Sequence, residues 1–187
     1  MYVVIEGIDT AGKSTQLDIL KQKYPDALFT KEPGGTALGQ KIRQIALNGE
    51  AKSNIAEMFL FLADRAEHNH EIILKNQDKM IISDRSFISG IAYAKDFDMQ
   101  QVIDLNLIAL DNKLPQKVIM LELSQDELKY RLSQKVQDGI ELRGIQYLMD
   151  IQNRMKQTIK KLNIDALIID AKQPIENIAK QIEEFLK

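Results

Sequence analysis

The 187-residue sequence has no cysteine, which excludes disulfides, thiolate metal sites and thiol nucleophiles. It has no strong excess of either charge, because it contains 25 Lys and Arg residues and 27 Asp and Glu residues. The resulting net charge of −2 argues against a broad nucleic-acid-binding surface. No apolar run approaches the length of a membrane span, and the N-terminus has no leader-peptide pattern. We therefore expect a cytoplasmic protein that binds neither nucleic acid nor membranes.

The chain also has no internal repeat, low-complexity tract or Pro/Gly-rich linker, so we expect a single domain over residues 1–187. Short apolar runs alternate with amphipathic stretches along its whole length. The apolar runs predict strands at residues 2–6, 27–32, 79–83, 117–123 and 165–170. This alternation predicts an α/β fold with a five-stranded parallel sheet and helices on both faces.

The amphipathic stretches between these strands predict the helices. They cover residues 13–23, 38–46, about 54–76, a short segment that ends near 93, 99–112, a segment with a capping box of Ser124 and Glu127, about 147–162, and a last helix that Pro174 opens. Ligands of such sheets bind where the strands end, so the loops that follow the strands are the candidate sites.

The loop after the first strand has the pattern G-x-x-x-x-G-K-[ST] from Gly7 to Ser14, which is typical of a phosphate-binding loop. Its two glycines allow backbone N–H groups to turn toward phosphate oxygens. Lys13 supplies a charge to the terminal phosphates, and the Ser14 hydroxyl can complete a Mg²⁺ shell. The alternative is a Gly-rich turn with a surface lysine, which the preceding strand and the following helix disfavour.

Two charged residues follow the third predicted strand. Asp84 has two interpretations, a carboxylate associated with Mg²⁺ or the N-cap of the next helix. Arg85, at the carboxyl end of the third predicted strand, is a candidate to bind a phosphate between donor and acceptor, because a guanidinium can contact two phosphate oxygens.

Four motifs together resemble the bacterial thymidylate kinase family. They are "GIDTAGKST" at 7–15, "EPGGT" at 32–36, "FLFLADRAEH" at 59–68 and "DRS" at 84–86. The resemblance extends from Met1 to the last strand, with the motifs in the family's order and spacing. It implies a P-loop NTPase fold of the nucleoside monophosphate kinase type, and phosphorylation of dTMP to dTDP with ATP and Mg²⁺. The implied ATP-binding residues are Gly7, Ile8, Asp9, Thr10, Ala11, Gly12, Lys13, Ser14 and Thr15.

The same resemblance implies roles for two residues of the third predicted helix. Phe61 would stack on thymine, and Arg65 would bond the base and lie near the acceptor phosphate. The two residues are four apart and therefore share a helix face. From the residues alone, Phe61 reads as a core side chain, and Arg65 as half of a surface ion pair with Glu57, Asp64 or Glu67.

The resemblance also assigns the remaining acceptor residues. Asp9 would accept a hydrogen bond from the sugar 3′-hydroxyl, Arg85 would hold the dTMP phosphate, and Tyr93 would pack on the deoxyribose. Glu32 and Pro33 belong to the loop that approaches the acceptor. The alternatives are that Asp9 points to solvent and that Tyr93 is ordinary core packing.

The sequence departs from the family where a catalytic cation is expected. Some members carry an arginine at the position of Thr10, and others carry one in a lid, here predicted at about residues 133–143. The lid pattern Asp-Arg-x-Glu reads Asp-Gly-Ile-Glu in this chain, at residues 138–141. Arg143 is the first choice to replace the missing arginine, with Lys135 and Arg131 as alternatives. The predicted catalytic residues are Asp9, Lys13, Arg85 and Arg143, and the predicted metal-binding residues are Ser14 and Asp84.

Residues 102–110 carry apolar side chains on more than one helix face, which either a neighbouring helix or a twofold partner could cover. Thymidylate kinases are dimers, so the resemblance favours a homodimer. The tripeptide "HNH" at 68–70 reads as a solvated helix end without a metal.

Competing functions are another P-loop kinase with a different acceptor, and a weakly active nucleotide-binding regulatory protein. A GTPase is disfavoured because no Asn-Lys-x-Asp follows the fourth strand.

Overall fold

The computed structural model describes residues 1–134 and 141–187. These residues form one parallel sheet with the strand order β2-β3-β1-β4-β5. The strands are β1 (Tyr2–Glu6), β2 (Leu28–Lys31), β3 (Ile81–Asp84), β4 (Lys117–Glu122) and β5 (Ala166–Asp170). The predicted five-stranded parallel α/β fold is thereby confirmed.

The helices lie between the strands in chain order. They are α1 (Lys13–Lys23), α2 (Ala37–Leu47), α3 (Asn54–His68), α4 (Phe87–Tyr93), α5 (Met99–Ala109), α6 (Gln125–Ser133), α7 (Ile145–Lys161) and α8 (Ile175–Leu186). A short 3₁₀ turn, Glu141–Arg143, precedes α7. None of the described helices is long and apolar enough to cross a membrane.

The centre of the sheet explains why its strands read as continuous apolar runs. All five residues of β1 are buried, since β3 and β4 pair with its two edges and both of its faces are covered. Val3 and Ile5 pack into the main hydrophobic cluster, whereas Tyr2 and Val4 pack into a smaller one. A strand enclosed in this way loses the polar alternation of a half-exposed strand.

Helix starts follow from short polar side chains that accept a backbone N–H. Thr36, Ser53, Ser86, Asp98 and Ser124 cap α2, α3, α4, α5 and α6 in this manner.

The predicted capping box at α6 is only half formed. Ser124 accepts the N–H of Glu127, but the Glu127 carboxylate accepts from Arg131 instead of reaching back to the cap. Pro174 precedes the last helix as predicted and occupies its N-cap position.

Two predicted helices end earlier than expected. The segment predicted as one helix over 54–76 is α3 followed by a π turn, Asn69–Ile73, and a 3₁₀ turn, Leu74–Asn76. Buried Asn69 donates from Nδ2 to the carbonyl oxygen of Leu110, which ties the π turn to the end of α5. The predicted helix 99–112 ends at Ala109, because Asp111 and Asn112 adopt left-handed backbone conformations.

Candidate active site

The phosphate-binding loop lies where β1 ends and α1 begins. Gly7 has φ 146°, and a Cβ there would lie 2.8 Å from the carbonyl oxygen of Leu121. Gly12 has φ 95° and is the N-cap of α1. Both positions therefore require glycine, for the close approach at the first and for the backbone angle at the second. The loop places the N-terminus of α1 beside the carboxyl end of β1. A helix N-terminus in this position is a typical anion-binding site.

Lys13 folds back onto this loop and is only 8% exposed. Its Nζ donates to the carbonyl oxygens of Gly7 at 3.0 Å and Ile8 at 3.3 Å. Burial, followed by the nearby positive charge of Arg85, lowers the pKa of Lys13 to about 8. A bound polyanion would stabilise the charged form of this lysine.

Arg85 connects the end of β3 to the loop. It has a positive φ of 66°, and its Nη1 donates to the carbonyl oxygen of Gly7 and to Ser89 Oγ, both at 3.1 Å. Its Nη2 pairs with the carboxylate of Asp9, and the guanidinium carbon lies 5.9 Å from the centre of the Tyr93 ring. The fold thus brings Asp9, Arg85 and Tyr93 together, and the Asp9 carboxylate is engaged by Arg85.

Sequence reasoning missed Glu6, the last residue of β1. Glu6 is fully buried and accepts hydrogen bonds from the backbone N–H and hydroxyl groups of both Ser86 and Ser89. Burial raises the pKa of this carboxyl. Since Ser89 also accepts from Arg85, Glu6 fixes the position of Arg85 through one serine. A glutamate at the end of an apolar strand, directly before Gly7, was the available signal.

The predicted metal-binding residues belong to two elements: Asp84 is the last residue of β3, and Ser14 lies in the first turn of α1. Oδ1 of Asp84 is buried and has no hydrogen-bond partner among the described residues, whereas Ser14 is exposed in the first turn of α1. The N-cap of α4 is Ser86, so the alternative interpretation of Asp84 as a helix cap is wrong. No group of three or more His, Cys, Asp or Glu in the described part of the chain could hold a metal ion.

Arg65 on α3 is buried, and its partner differs from those considered from sequence. Nε donates to Glu32 at 2.8 Å, and Nη1 donates to Asn106 Oδ1 at 2.6 Å. The surface ion pair with Glu57, Asp64 or Glu67 is therefore wrong. The Arg65 guanidinium is held beneath the acceptor loop by one residue of that loop and one of α5.

Phe61 precedes Arg65 by one turn of α3 and is half-buried. Among the described residues it joins neither of the two hydrophobic clusters, so its interpretation as a core side chain is not supported by packing.

His68 and Glu32 complete the network around Arg65. His68 is fully buried, with Nδ1 2.8 Å from the second Glu32 oxygen and Nε2 2.7 Å from Thr30 Oγ1. The prediction of a solvated helix end is wrong for His68, because it lies three residues after Arg65 on the same face. His70 alone is exposed. Burial tends to raise the pKa of Glu32, but Arg65 and His68 outweigh it and the pKa is lowered.

The acceptor loop is clamped against α3 by its backbone as well. Asp64 Oδ1 accepts the N–H of Gly34 at 3.0 Å, and a Cβ on Gly35 would lie 2.7 Å from the His68 ring. The carbonyl oxygen of half-buried Pro33 accepts a hydrogen bond from Arg43 Nη1 at 3.1 Å. The Glu32–Pro33 peptide bond is cis. The loop after β2 and the inner face of α3 therefore form one packed unit.

The candidate cations near the donor site differ in position. Arg131 on α6 reaches the loop, whereas Arg143 is exposed and donates to the Tyr147 hydroxyl at 2.9 Å. Lys135 and Gly139 lie outside the described residues. From the sequence, Arg131 is the last of three candidates, after Arg143 and Lys135, although Arg131 contacts the Thr10 carbonyl oxygen.

Known proteins are similar to this chain in sequence and in fold. A family model for thymidylate kinase matches residues 5–182. The thymidylate kinase of Aliarcobacter butzleri is 66% identical over 186 residues, which cover 100% of this chain and 98% of that protein. The thymidylate kinase of Wolinella succinogenes is 54% identical over 178 residues, which cover 95% of this chain and 94% of that protein.

The fold comparison agrees with the sequence comparison. A crystal structure of thymidylate kinase from Ehrlichia chaffeensis has a TM-score of 0.79 at 24% identity, and covers 100% of this chain and 98% of that chain. This similarity shows the shared fold. Because the family model and the two relatives each match nearly the whole sequence, the chain belongs to the thymidylate kinase family.

Proposed function

We propose that the protein phosphorylates dTMP to dTDP with ATP as the phosphoryl donor. The observation that carries this proposal is the contact of Arg85 with the Gly7 carbonyl oxygen, at 3.1 Å. It joins the predicted acceptor-phosphate arginine directly to the donor loop. Transfer between two bound nucleotides requires this closeness, because reacting groups must be held near one another and in line.

The donor half consists of the loop from Gly7 to Thr15. The N-terminus of α1 and the loop N–H groups face the ATP phosphates, and Lys13 adds a full charge. At neutral pH a lysine with a pKa near 8 is still mostly protonated, so the charge is present when ATP binds. Thr10 supplies none of this charge.

The residues present fit Mg²⁺. The buried Oδ1 of Asp84, which has no hydrogen-bond partner among the described residues, and the exposed hydroxyl of Ser14 are hard oxygen atoms that would hold the ion. Mg²⁺ in kinases takes one or two protein ligands and completes its shell with phosphates and water, which agrees with the small number of carboxylates here. When bound, the ion would neutralise charge on the ATP phosphates.

The acceptor half lies over the ends of β2 and β3. Arg85 holds the dTMP phosphate, Asp9 orients the sugar 3′-hydroxyl, and Tyr93 packs on the deoxyribose. The Tyr93 hydroxyl is buried without a hydrogen-bond partner among the described residues, which suits a group that awaits a ligand. Phe61 stacks on thymine and Arg65 donates to the base.

Glu32 and Pro33 shape this half of the site without offering a charge to the acceptor. Both carboxylate oxygens of Glu32 are engaged, one by Arg65 and the other by His68. Glu32 thus acts through Arg65.

In the reaction, an oxygen of the dTMP phosphate attacks the γ-phosphorus of ATP while the bond to the ADP oxygen breaks. No covalent enzyme intermediate forms. Lys13 and Arg85 stabilise negative charge on the donor and acceptor phosphates, and Arg143 of the predicted lid is the proposed cation for the migrating group.

We also propose a homodimer built on α3 and α5, which pack against each other. Ile108 on α5 is 76% exposed, and Ile55 and Phe59, one turn apart on α3, are about half exposed. Large apolar side chains on two adjacent helices form the kind of surface that a twofold partner covers.

A coupled assay with ATP, Mg²⁺ and dTMP, dUMP, dCMP, AMP or GMP tests the function. We expect dTMP to be the best acceptor and dUMP to be used less well, since one methyl group contributes only about 1 kcal/mol. Lys13→Ala is the control, and should lose nearly all transfer. Phosphorylation of dCMP or AMP as fast as dTMP would show that the acceptor is assigned wrongly.

A further inference from the structure

We propose that Asn106 on α5 is a positioning residue for Arg65, and that it makes the site select a pyrimidine with a 4-oxo group over one with a 4-amino group. This inference rests on the proposed function, in which Arg65 reads the acceptor base.

The amide of Asn106 has a defined orientation. The side chain is buried, with 1% exposure, and Nδ2 donates to the carbonyl oxygen of Val102 at 2.7 Å. Because this bond requires the amide nitrogen, the opposite atom, Oδ1, faces Arg65 Nη1 at 2.6 Å. Asn106 therefore presents an acceptor to Arg65 and no donor.

The Arg65 guanidinium is fixed by contacts on three sides. Glu32 binds Nε, Asn106 binds Nη1, and α4 packs against the end of the guanidinium at Gly90, where a Cβ would lie 2.9 Å from both Nη1 and Nη2. Among the described residues, Nη2 makes no hydrogen bond. Nη2 is thus the donor that remains for a ligand, and its direction is set by the other two bonds.

A fixed guanidinium donor discriminates between pyrimidines by chemistry. Arginine has only donors, so it pairs with a carbonyl oxygen and is mismatched with an amino group. If Glu32 alone held the guanidinium, the group could rotate so that Nη2 moves away from a 4-amino group, and the mismatch would be relieved. Asn106 prevents this rotation, so Nη2 stays directed at the base and favours a 4-oxo group over a 4-amino group.

The test measures kcat/KM for dTMP and for dCMP at saturating ATP, together with the KM for ATP. Asn106→Leu keeps the approximate size of the side chain and removes the acceptor. We expect the dTMP-to-dCMP preference to fall roughly 10–100-fold, mainly through a higher KM for dTMP, because a hydrogen bond to a charged group is lost. The KM for ATP should stay unchanged.

Asn69→Leu is the matched control. Asn69 is also a buried asparagine, with 3% exposure. Its Nδ2 donates to the carbonyl oxygen of Leu110 at the end of α5 and not to a group that contacts Arg65. It should leave the preference unchanged. An equal change in both leucine variants, or none in Asn106→Leu, would overturn the inference.

Gly90→Ala is a second approach that does not alter α5. Its methyl group would lie within 2.9 Å of Nη1 and Nη2, so it should displace the guanidinium and lower the preference as Asn106→Leu does. A wild-type protein that uses dTMP, combined with an unaltered preference in either Asn106→Leu or Gly90→Ala, would overturn this inference and leave the proposed function standing. A wild-type protein without dTMP activity would overturn both.

Discussion

Arg131 and Thr10 join two distant parts of the chain: Nη1 of Arg131 lies 2.9 Å from the Thr10 carbonyl oxygen. The other terminal nitrogen donates to the Ala171 carbonyl oxygen at 2.6 Å, and Nε donates to Glu127 at 2.7 Å. One guanidinium therefore links α6, the phosphate loop and the segment after β5. The loop is thus supported at Thr10, as well as by Arg85 at Gly7, and the supporting Arg131 lies 121 positions away in sequence.

Arg131→Ala should raise the KM for ATP about tenfold, because the hydrogen bonds from a charged group to the phosphate loop at Thr10 and to the segment after β5 at Ala171 are lost. The KM for dTMP should change much less, since the described hydrogen bonds of Arg131 go to Glu127, Thr10 and Ala171 and to none of the predicted acceptor residues. Steady-state kinetics with each substrate varied separately measures the difference. Lys129→Ala, an exposed lysine on the same helix, is the control and should behave like wild type. Equal effects on both substrates would contradict a role at the donor site.

Arg143→Ala should lower kcat by a factor of about 10³ or more with little change in the KM for dTMP, if Arg143 supplies the cation for the migrating phosphoryl group. Lys135→Ala should do less, and Thr10→Arg should partly rescue Arg143→Ala by supplying the charge from the loop. Tyr147→Phe removes the described partner of Arg143 and serves as the control, with kcat near wild type. A wild-type kcat in both Arg143→Ala and Lys135→Ala would leave Lys13 and Arg85 as the source of positive charge.

Binding of ATP should be accompanied by proton uptake near pH 8. Burial lowers the pKa of Lys13 to about 8 in the unliganded protein, and bound phosphates favour its charged form, so the pKa rises on binding. At pH 8 we expect uptake of roughly half a proton, and a loss of affinity as the pH rises further. Calorimetry in two buffers of different ionisation enthalpy measures the uptake. Lys13→Met should abolish this component; the same uptake in that variant would assign the titration to another group.

Glu32→Gln should destabilise the protein by about 3–5 kcal/mol at pH 7, because it leaves buried Arg65 without its counter-charge. The folded state lowers the pKa of Glu32, so the stabilisation is present above the ordinary value of 4.5 and is lost as the pH falls through the lowered value. The difference between wild type and variant should therefore shrink below about pH 4.5 in thermal unfolding.

Glu183→Gln provides the comparison for that measurement. Glu183 pairs with exposed Lys23, and removal of such a surface pair should cost about 1 kcal/mol or less. A similarly small effect of Glu32→Gln would mean that Arg65 finds another acceptor.

Ile108→Glu should convert the proposed dimer into a monomer. A charge introduced at an apolar interface lacks a partner and is costly to bury, whereas on a monomer this exposed position tolerates it. Sedimentation equilibrium at micromolar concentration should show about twice 21.3 kDa for wild type and 21.3 kDa for the variant. Tyr130→Glu, at an exposed position on α6, is the control and should remain dimeric. A monomeric wild type would reject the dimer.

The sequence by itself determined the phosphate loop and the alternation of strands and helices. Both depend on residues close together in the chain: Gly7, Gly12, Lys13 and Ser14 lie within the short segment that joins the end of β1 to the first turn of α1. Apolar runs and caps such as Ser124 likewise act over a few positions. The order of motifs in the chain also carried the resemblance to the family.

Only the tertiary structure decided how the polar residues pair. His68 looked like part of a solvated helix end, but it is buried because the loop after β2 folds over α3 and brings Glu32, 36 positions away, to its ring. Asn106 lies 41 positions from Arg65, and no local pattern distinguishes it from any other helical asparagine. Burial makes unpaired polar groups costly, so each of these side chains must find a partner, and the packing of separate elements determines which one it finds.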